Sequence, residues 1–292
     1  MKKMKIGFAD DYLDNWHCNY YPGFLRDTIR ECGLDMEVTH AYGRRTAPSG
    51  VTNKDWCRAR EMIPCRSMKE LVDSVDAILV IAADDSRTHE EVSRIPLSSG
   101  KPCFIDKTFA WDLAAAKRMY ELADSHGTPV FSSSAQRYCE DVIEYKAAHP
   151  GKPLFVSTVG PHSLDNYAVH QLEVIEALMG AGIQRLKAFA AGEGVTQLIL
   201  DYGDGRLASF MQTPQPWAEF NFMVTEDGCG TNGRRLVSDD GNFYRNLMRA
   251  ILGFFTSGVS PVPREETLEI VSVIETARTA RQSPDTWFSV PR

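Results

Sequence analysis

Residues 76–83, DAILVIAA, form an unbroken apolar run, and no other stretch constrains the fold as much. A strand that is apolar on both faces must be covered on both. Among alternating strands and helices, that means a parallel sheet with helices on either side. The neighbouring residues keep the alternation. MKIGFA (4–9), MEVTHAYG (36–43), KPCFID (101–106) and TPVFSSS (128–134) read as further strands. GFLRDTIREC (23–32), MKELVDSV (68–75), THEEVSRIPLSSG and LAAAKRMYELADS read as helices, the last capped by Asp112 and ended by Gly127. Residues 44–66, polar and broken by Pro48, Gly50 and Pro64, read as irregular. Ligands of such open sheets bind at the carboxyl ends of the strands.

After residue 135 the rhythm changes. A helix over 139–148 leads to FVSTVG, and a second helix runs through NYAVHQLEVIEALMG. LKAFAAG, TQLILDYGDGRLASFMQT and AEFNFMVTEDG then alternate, with a hairpin turn at Asp204–Gly205. The last two helical stretches are YRNLMRAILGFFTSG and REETLEIVSVIETARTARQ. Hairpin strands with helices to one side predict an open, mainly antiparallel sheet. The expected organisation is an α/β domain over 1–135 and an α+β domain over 136–292.

A net charge of −7 without a basic stripe argues against nucleic-acid binding. No run approaches the ~20 apolar residues that span a bilayer, nor is there an apolar signal segment, so the default expectation is a cytoplasmic protein. The seven cysteines are dispersed without metal-type spacing and read as reduced, mostly buried thiols. An uncovered face of the C-terminal sheet would favour a homo-oligomer through that sheet.

KPCFIDKTFAWDLAAAKRMYELADSHGTPVFSSSAQRY (101–138) resembles the Gfo/Idh/MocA oxidoreductases, named after glucose–fructose oxidoreductase and inositol dehydrogenase. The pattern there is a strand ending Glu-Lys-Pro, a helix, then a strand leading to an Asn or Ser cluster and an Arg. Here these are Asp106-Lys107-Thr108, Ser132-Ser133-Ser134 and Arg137. DAILVIAADDSRTHEE matches the preceding family strand with its following His, here His89; YAVHQLEVIEALMG matches the helix bearing a second His, here His170. The resemblance implies a Rossmann-type N-terminal domain and a substrate domain. It also implies NAD(P)-dependent chemistry on a sugar, cyclitol or related polyol, with Lys107 between nicotinamide and substrate. The family's Asp, four residues before the His, is Asn166 here; Asn orients a hydroxyl but takes up no proton at neutral pH. Tyr167 and Asp165 are the neighbouring substitutes.

His170 is the candidate base, because an imidazole titrates near working pH. It shares a helix face with Asn166, Tyr167 and Glu173. Lys107 would polarise the substrate oxygen, and Arg137 and Ser134, with Asp165 and Asn166, would bind substrate; serines at a strand end are also ordinary turn-formers. The candidate cofactor contacts are strand ends and the residues after them: Gly7, Ala9 and Asp10; Ala82, Ala83 and Asp84; His89; Asp106 and Lys107.

The turn after Gly7 carries Asp10, Asp11, Asp14, Asn15, Trp16 and His17 where a dinucleotide loop has glycines. Glycines let backbone N–H groups approach a pyrophosphate closely, and three aspartates would repel it. Three readings stay open: a longer loop holding a dinucleotide through the helix end near 15–22; a scaffold that has lost its cofactor and serves as a carbohydrate-binding or regulatory protein or a non-redox lyase or epimerase; or a metal on Asp10, Asp14 and His17. The first ranks ahead, and spacing alone fixes no metal geometry. Arg44 and Arg45 after the second strand favour the 2′-phosphate of NADP over NAD, or form a solvated loop.

Overall fold

The computed structural model describes residues 3–82, 85–216, 219–226, 230–235 and 242–292. The chain divides into two compact units, Met1–Ser133 with Leu247–Val262, and Ser134–Asn246 with Pro263–Arg292. Ala83 and Asp84, proposed from the sequence as cofactor contacts, and Cys229 lie outside the described residues.

The first unit runs β1 (Met4–Asp10), α1 (Trp16–Cys32), β2 (Met36–Gly43), α2 (Asn53–Ala59), β3 (Ile63–Pro64), α3 (Met68–Ser74), β4 (Ala77–Val80), α4 (His89–Leu97), β5 (Cys103–Ile105), α5 (Leu113–Ser125) and β6 (Val130–Phe131). Its six strands are all parallel, in the order β3-β2-β1-β4-β5-β6. The order reverses direction between β1 and β4, the switch point at which open α/β sheets bind ligands. Ile6, Phe8, Ile78, Leu79, Phe104 and Ile105 are wholly buried, as strands covered on both faces require. Gly7 is a packing glycine: a Cβ there would stand 2.8 Å from Leu71 Cδ1 and 3.0 Å from Val75 Cγ1.

Two expectations are corrected in this unit. The first helix begins at Trp16, not residue 23, because Asn15 caps it by accepting from Cys18 N at 3.0 Å. Pro22, which suggests a boundary in the sequence, lies within the helix. The 44–66 stretch is not wholly irregular: Thr52 caps α2, and a two-residue strand follows.

The second unit contains α6 (Glu140–Ala148), β7 (Phe155–Gly160), α7 (Leu164–Met179), β8 (Arg185–Phe189), β9 (Thr196–Asp201), β10 (Leu207–Gln212), β11 (Asn221–Glu226) and β12 (Gly230–Arg235), then α8 (Asn242–Ser257), α9 (Arg264–Ala280) and β13 (Trp287–Ser289). The C-terminal part of α8 belongs to the first unit. The seven strands lie in the order β12-β11-β7-β10-β9-β8-β13 and pair antiparallel except for β7 with β10. The turn around Asp204–Gly205 does join a hairpin, closed by Tyr202 N donating to Arg206 O at 3.2 Å. No helix among the described residues is long and apolar enough to cross a membrane.

Candidate functional site

In the first unit the chemistry gathers at the carboxyl ends of β1, β4 and β5. Asp10 ends β1 and is buried, with its carboxylate turned back into its own loop. Oδ1 accepts from Asp11 N (2.6 Å) and Tyr12 N (3.3 Å); Oδ2 accepts from Asn15 Nδ2 (2.8 Å) and Cys18 Sγ (3.0 Å). The carboxylate therefore takes the backbone donors that a glycine loop would offer to phosphate. Burial pushes the Asp10 pKa up to about 7, against the hydrogen bonds that favour the anion. Beside it, Asp11 pairs with Arg45 Nε at 2.7 Å, and Arg44 Nη2 reaches Glu91 at 2.7 Å. Both arginines, expected to take a 2′-phosphate, are thus engaged with carboxylates.

Asp106 follows β5 and is wholly buried. Its Oδ2 is hydrogen-bonded to His17 Nδ1, from the first turn of α1, while Oδ1 is buried without a hydrogen-bond partner among the described residues. Burial alone would raise the Asp106 pKa, but His17, Lys107 and His89 outweigh it and hold it below the ordinary value. Lys107 comes next, and its peptide bond to Thr108 is cis. The His17 ring stacks on Tyr21 (centroids 4.8 Å apart) and meets Trp16 edge-on. His89 is a packing residue: buried, with Nδ1 3.1 Å from Phe109 O and Nε2 3.0 Å from Ala82 O. Burial lowers its pKa, and a neutral ring donates to only one of those carbonyls. Ala9 and Ala82 are buried at the ends of β1 and β4.

In the second unit, α7 presents His170. Its Nδ1 lies 2.6 Å from Ser134 Oγ, and Ser134 N donates to Glu173 Oε1 at 2.9 Å. Ser134 thus connects Glu173 to the imidazole, through its N–H on one side and its hydroxyl on the other. Glu173 also takes Arg137 Nε, while Arg137 Nη2 pairs with Glu266 at 2.7 Å. Arg137 is buried and spans two helices with its charge. Burial works against that charge, but the two carboxylates outweigh it and hold its pKa above the ordinary. The guanidinium expected to meet substrate is thus held by protein. Asp165 accepts from Arg278 Nε at 2.6 Å. Asn166 and Tyr167 line a cleft of about 340 Å³ with His162, Ser163, Pro214 and Arg281.

Sequence reasoning missed His162 and Phe220. The Tyr167 ring stands 4.1 Å from His162 and stacks parallel with Phe220 at 6.5 Å, and His170 meets Phe220 edge-on at 5.7 Å. Gly160 admits this cluster, since a Cβ there would be 2.8 Å from Phe220 Cε1. His162 itself has φ +65°. These residues lie in irregular segments with no periodic signal. Among the described residues, no group of three or more His, Cys, Asp or Glu could hold a metal ion.

Residues 24–134 match the GFO/IDH/MocA family, described as an oxidoreductase family with an NAD-binding Rossmann fold. The match lies within the N-terminal unit and covers less than half of the chain. The matched stretch begins beyond the β1–α1 turn, where aspartates stand in place of a glycine loop. Inositol 2-dehydrogenase of Agrobacterium fabrum is 25% identical over 126 residues, spanning 38% of either chain. Two solved structures share the whole architecture. GenD2 from gentamicin A biosynthesis, in complex with NAD, superposes with a TM-score of 0.80 at 11% identity over 100% of this chain and 97% of that one. Myo-inositol 2-dehydrogenase from Lactobacillus plantarum gives 0.79 at 12% identity, covering 99% and 100%.

A nicotinamide dinucleotide needs acceptors for its ribose hydroxyls and carboxamide, and donors for its pyrophosphate. The orphaned, buried Asp106 Oδ1 fits the first need. At the β1–α1 turn Asp10 already takes the N–H groups of Asp11 and Tyr12, so the pyrophosphate would rest on other groups of that turn. The unit therefore fits the nicotinamide end of the cofactor and departs from the family at the phosphate end.

Proposed function

We propose that this protein is an NAD(P)-dependent oxidoreductase that moves a hydride between nicotinamide and a CH–OH group of a sugar, cyclitol or related polyol. The observation that carries this reading is the Asp106–Lys107 pair at the carboxyl end of β5, beside the switch point of a family sheet, with a buried acceptor left over. The inositol dehydrogenase among its relatives and the myo-inositol dehydrogenase among its structural neighbours support a polyol substrate.

In this reading Asp106, with the ends of β1 and β4, holds the nicotinamide half, and Lys107 directs its ammonium at the reacting oxygen. Bound nicotinamide supplies the two-electron carrier. His170 exchanges the hydroxyl proton through Nε2. With Nδ1–H donating to Ser134 Oγ, the ring's lone pair is on Nε2. Asn166 and Tyr167 position the polyol, and the aromatic faces of Tyr167 and Phe220 pack its C–H edges. Lys107 belongs to the first unit and His170 to the second.

A panel of sugars, inositols and sugar acids, offered with NAD and NADP in both directions, tests the proposal through reduced-nicotinamide absorbance. Turnover in wild type that disappears in Lys107→Met supports it, and full turnover in that variant overturns it. The turn filled by Asp10 favours a second reading, a cofactor-free carbohydrate-binding protein, in which neither nucleotide would bind saturably.

A further inference from the structure

We infer that His17, oriented by Asp106, is an acid–base residue at the carboxyl end of the parallel sheet. The inference rests on the oxidoreductase reading and moves its proton-exchange step from His170 to His17, leaving His170 to position the hydroxyl. His17 sits in the first turn of α1, which Asn15 caps, and its ring is clamped flat on Tyr21 and edgewise to Trp16. The two partners are 89 residues apart in the chain and are brought together by the β1–β4–β5 order.

A carboxylate only accepts, so a neutral His17 bonded to Asp106 carries its proton on Nδ1 and presents the Nε2 lone pair on its other edge. Among the described residues nothing is hydrogen-bonded to Nε2, and the side chain keeps 12% of its surface exposed although its partner keeps none. Asp106 Oδ1 has no hydrogen-bond partner among the described residues, so the pair leaves an acceptor beside the imidazole. Lys107, the next residue, adds a cation to the same strand end. By contrast, Asn166 takes no proton, and the partner shown for His170 Nδ1 is a hydroxyl.

The step balances. As the alcohol carbon gives its hydride to nicotinamide, the O–H proton passes to His17 Nε2 and the O–H electron pair becomes the carbonyl π bond. The imidazolium so formed is neutralised by Asp106, and reduction runs the same transfers backwards. Lys107 polarises the oxygen throughout.

Three measurements on the full chain test this. Long-range proton–nitrogen correlation spectra of histidine-labelled protein should show His17 as the Nδ1–H tautomer, and Asp106→Asn should abolish that preference; an Nε2–H tautomer in wild type overturns the assignment. Titration with NADH establishes whether nucleotide binds; the absence of saturation overturns the oxidoreductase reading and this inference with it. His17→Ala is then assayed with the best substrate among myo-inositol, D-glucose and D-gluconate. Its kcat should fall by roughly 10²–10⁴-fold with NADH affinity within about twofold of wild type, and free imidazole should restore at least a tenth of the lost rate. NADH binding with kcat unchanged in His17→Ala, or a loss that imidazole leaves untouched, overturns the inference while the oxidoreductase reading stands.

Discussion

The buried carboxylate of Asp10 makes the N-terminal unit's stability depend on pH in an unusual direction. Its pKa is about 7 when folded against an ordinary value of 3.8, so the folded form holds the proton more tightly than the unfolded chain. The stabilisation is therefore complete below pH 3.8 and is lost as pH rises toward 7. Roughly three pH units separate the two values, at about 1.4 kcal/mol each, so wild type should lose on the order of 4 kcal/mol across the window. Asp10→Asn keeps an acceptor for Asp11 N and Tyr12 N but has no proton to exchange. Urea denaturation of wild type and variant, followed by tryptophan fluorescence at several pH values between 4 and 7, isolates the effect, since every other titrating group cancels in the difference. The variant should gain about 1.4 kcal/mol on wild type per pH unit, with a plateau above pH 7. NADH affinity should follow the same proton, rising on acidification in wild type and staying flat in Asp10→Asn. Two stability curves that run parallel from pH 4 to 7 would refute the reasoning.

Arg137→Met leaves Glu173 and Glu266 without their buried cation and should cost about 3–5 kcal/mol, measured by thermal or urea denaturation. Gly7→Ala forces a methyl onto Leu71 and Val75 and should cost roughly 1–3 kcal/mol of stability, with nucleotide affinity unchanged in titration calorimetry. Ser134→Ala removes the partner of His170 Nδ1 and should lower kcat more than it alters KM in steady-state kinetics. Glu176 is buried, and burial with the nearby Glu269 carboxylate raises its pKa well above the ordinary carboxylate value. Glu176→Gln should therefore leave stability at neutral pH within about 1 kcal/mol of wild type.

The parallel sheet was legible because burial on both faces leaves a direct mark, as in DAILVIAA, and the Asp204–Gly205 hairpin because its turn chemistry is local. The start of α1 lies in the polar stretch Asp14–His17, which shows no apolar period, and Pro22 falls within the helix. Strands as short as Ile63–Pro64 and Trp287–Ser289 carry too few residues for a period to show. Lys107 and His170 became candidates through the resemblance to a family pattern, and Asn166 through its departure from it. The pairing of His17 with Asp106, the capture of Arg137 by Glu173 and Glu266, and the turning inward of Asp10 arise from tertiary contacts that no spacing announces. Arg44 and Arg45 show the converse: two arginines after β2 suggested an anion site, and the fold spends them on Asp11 and Glu91.

The central claim is that the ends of β1, β4 and β5 receive a nicotinamide dinucleotide for which Lys107 does chemistry rather than binding. Fluorescence titration of wild type and Lys107→Met with NADH, followed by hydride transfer to a ketone made from the best polyol substrate, tests it most directly. Saturable binding in both proteins, with transfer only in wild type, is the predicted result. No saturation at millimolar NADH, or equal transfer by the two proteins, would contradict it.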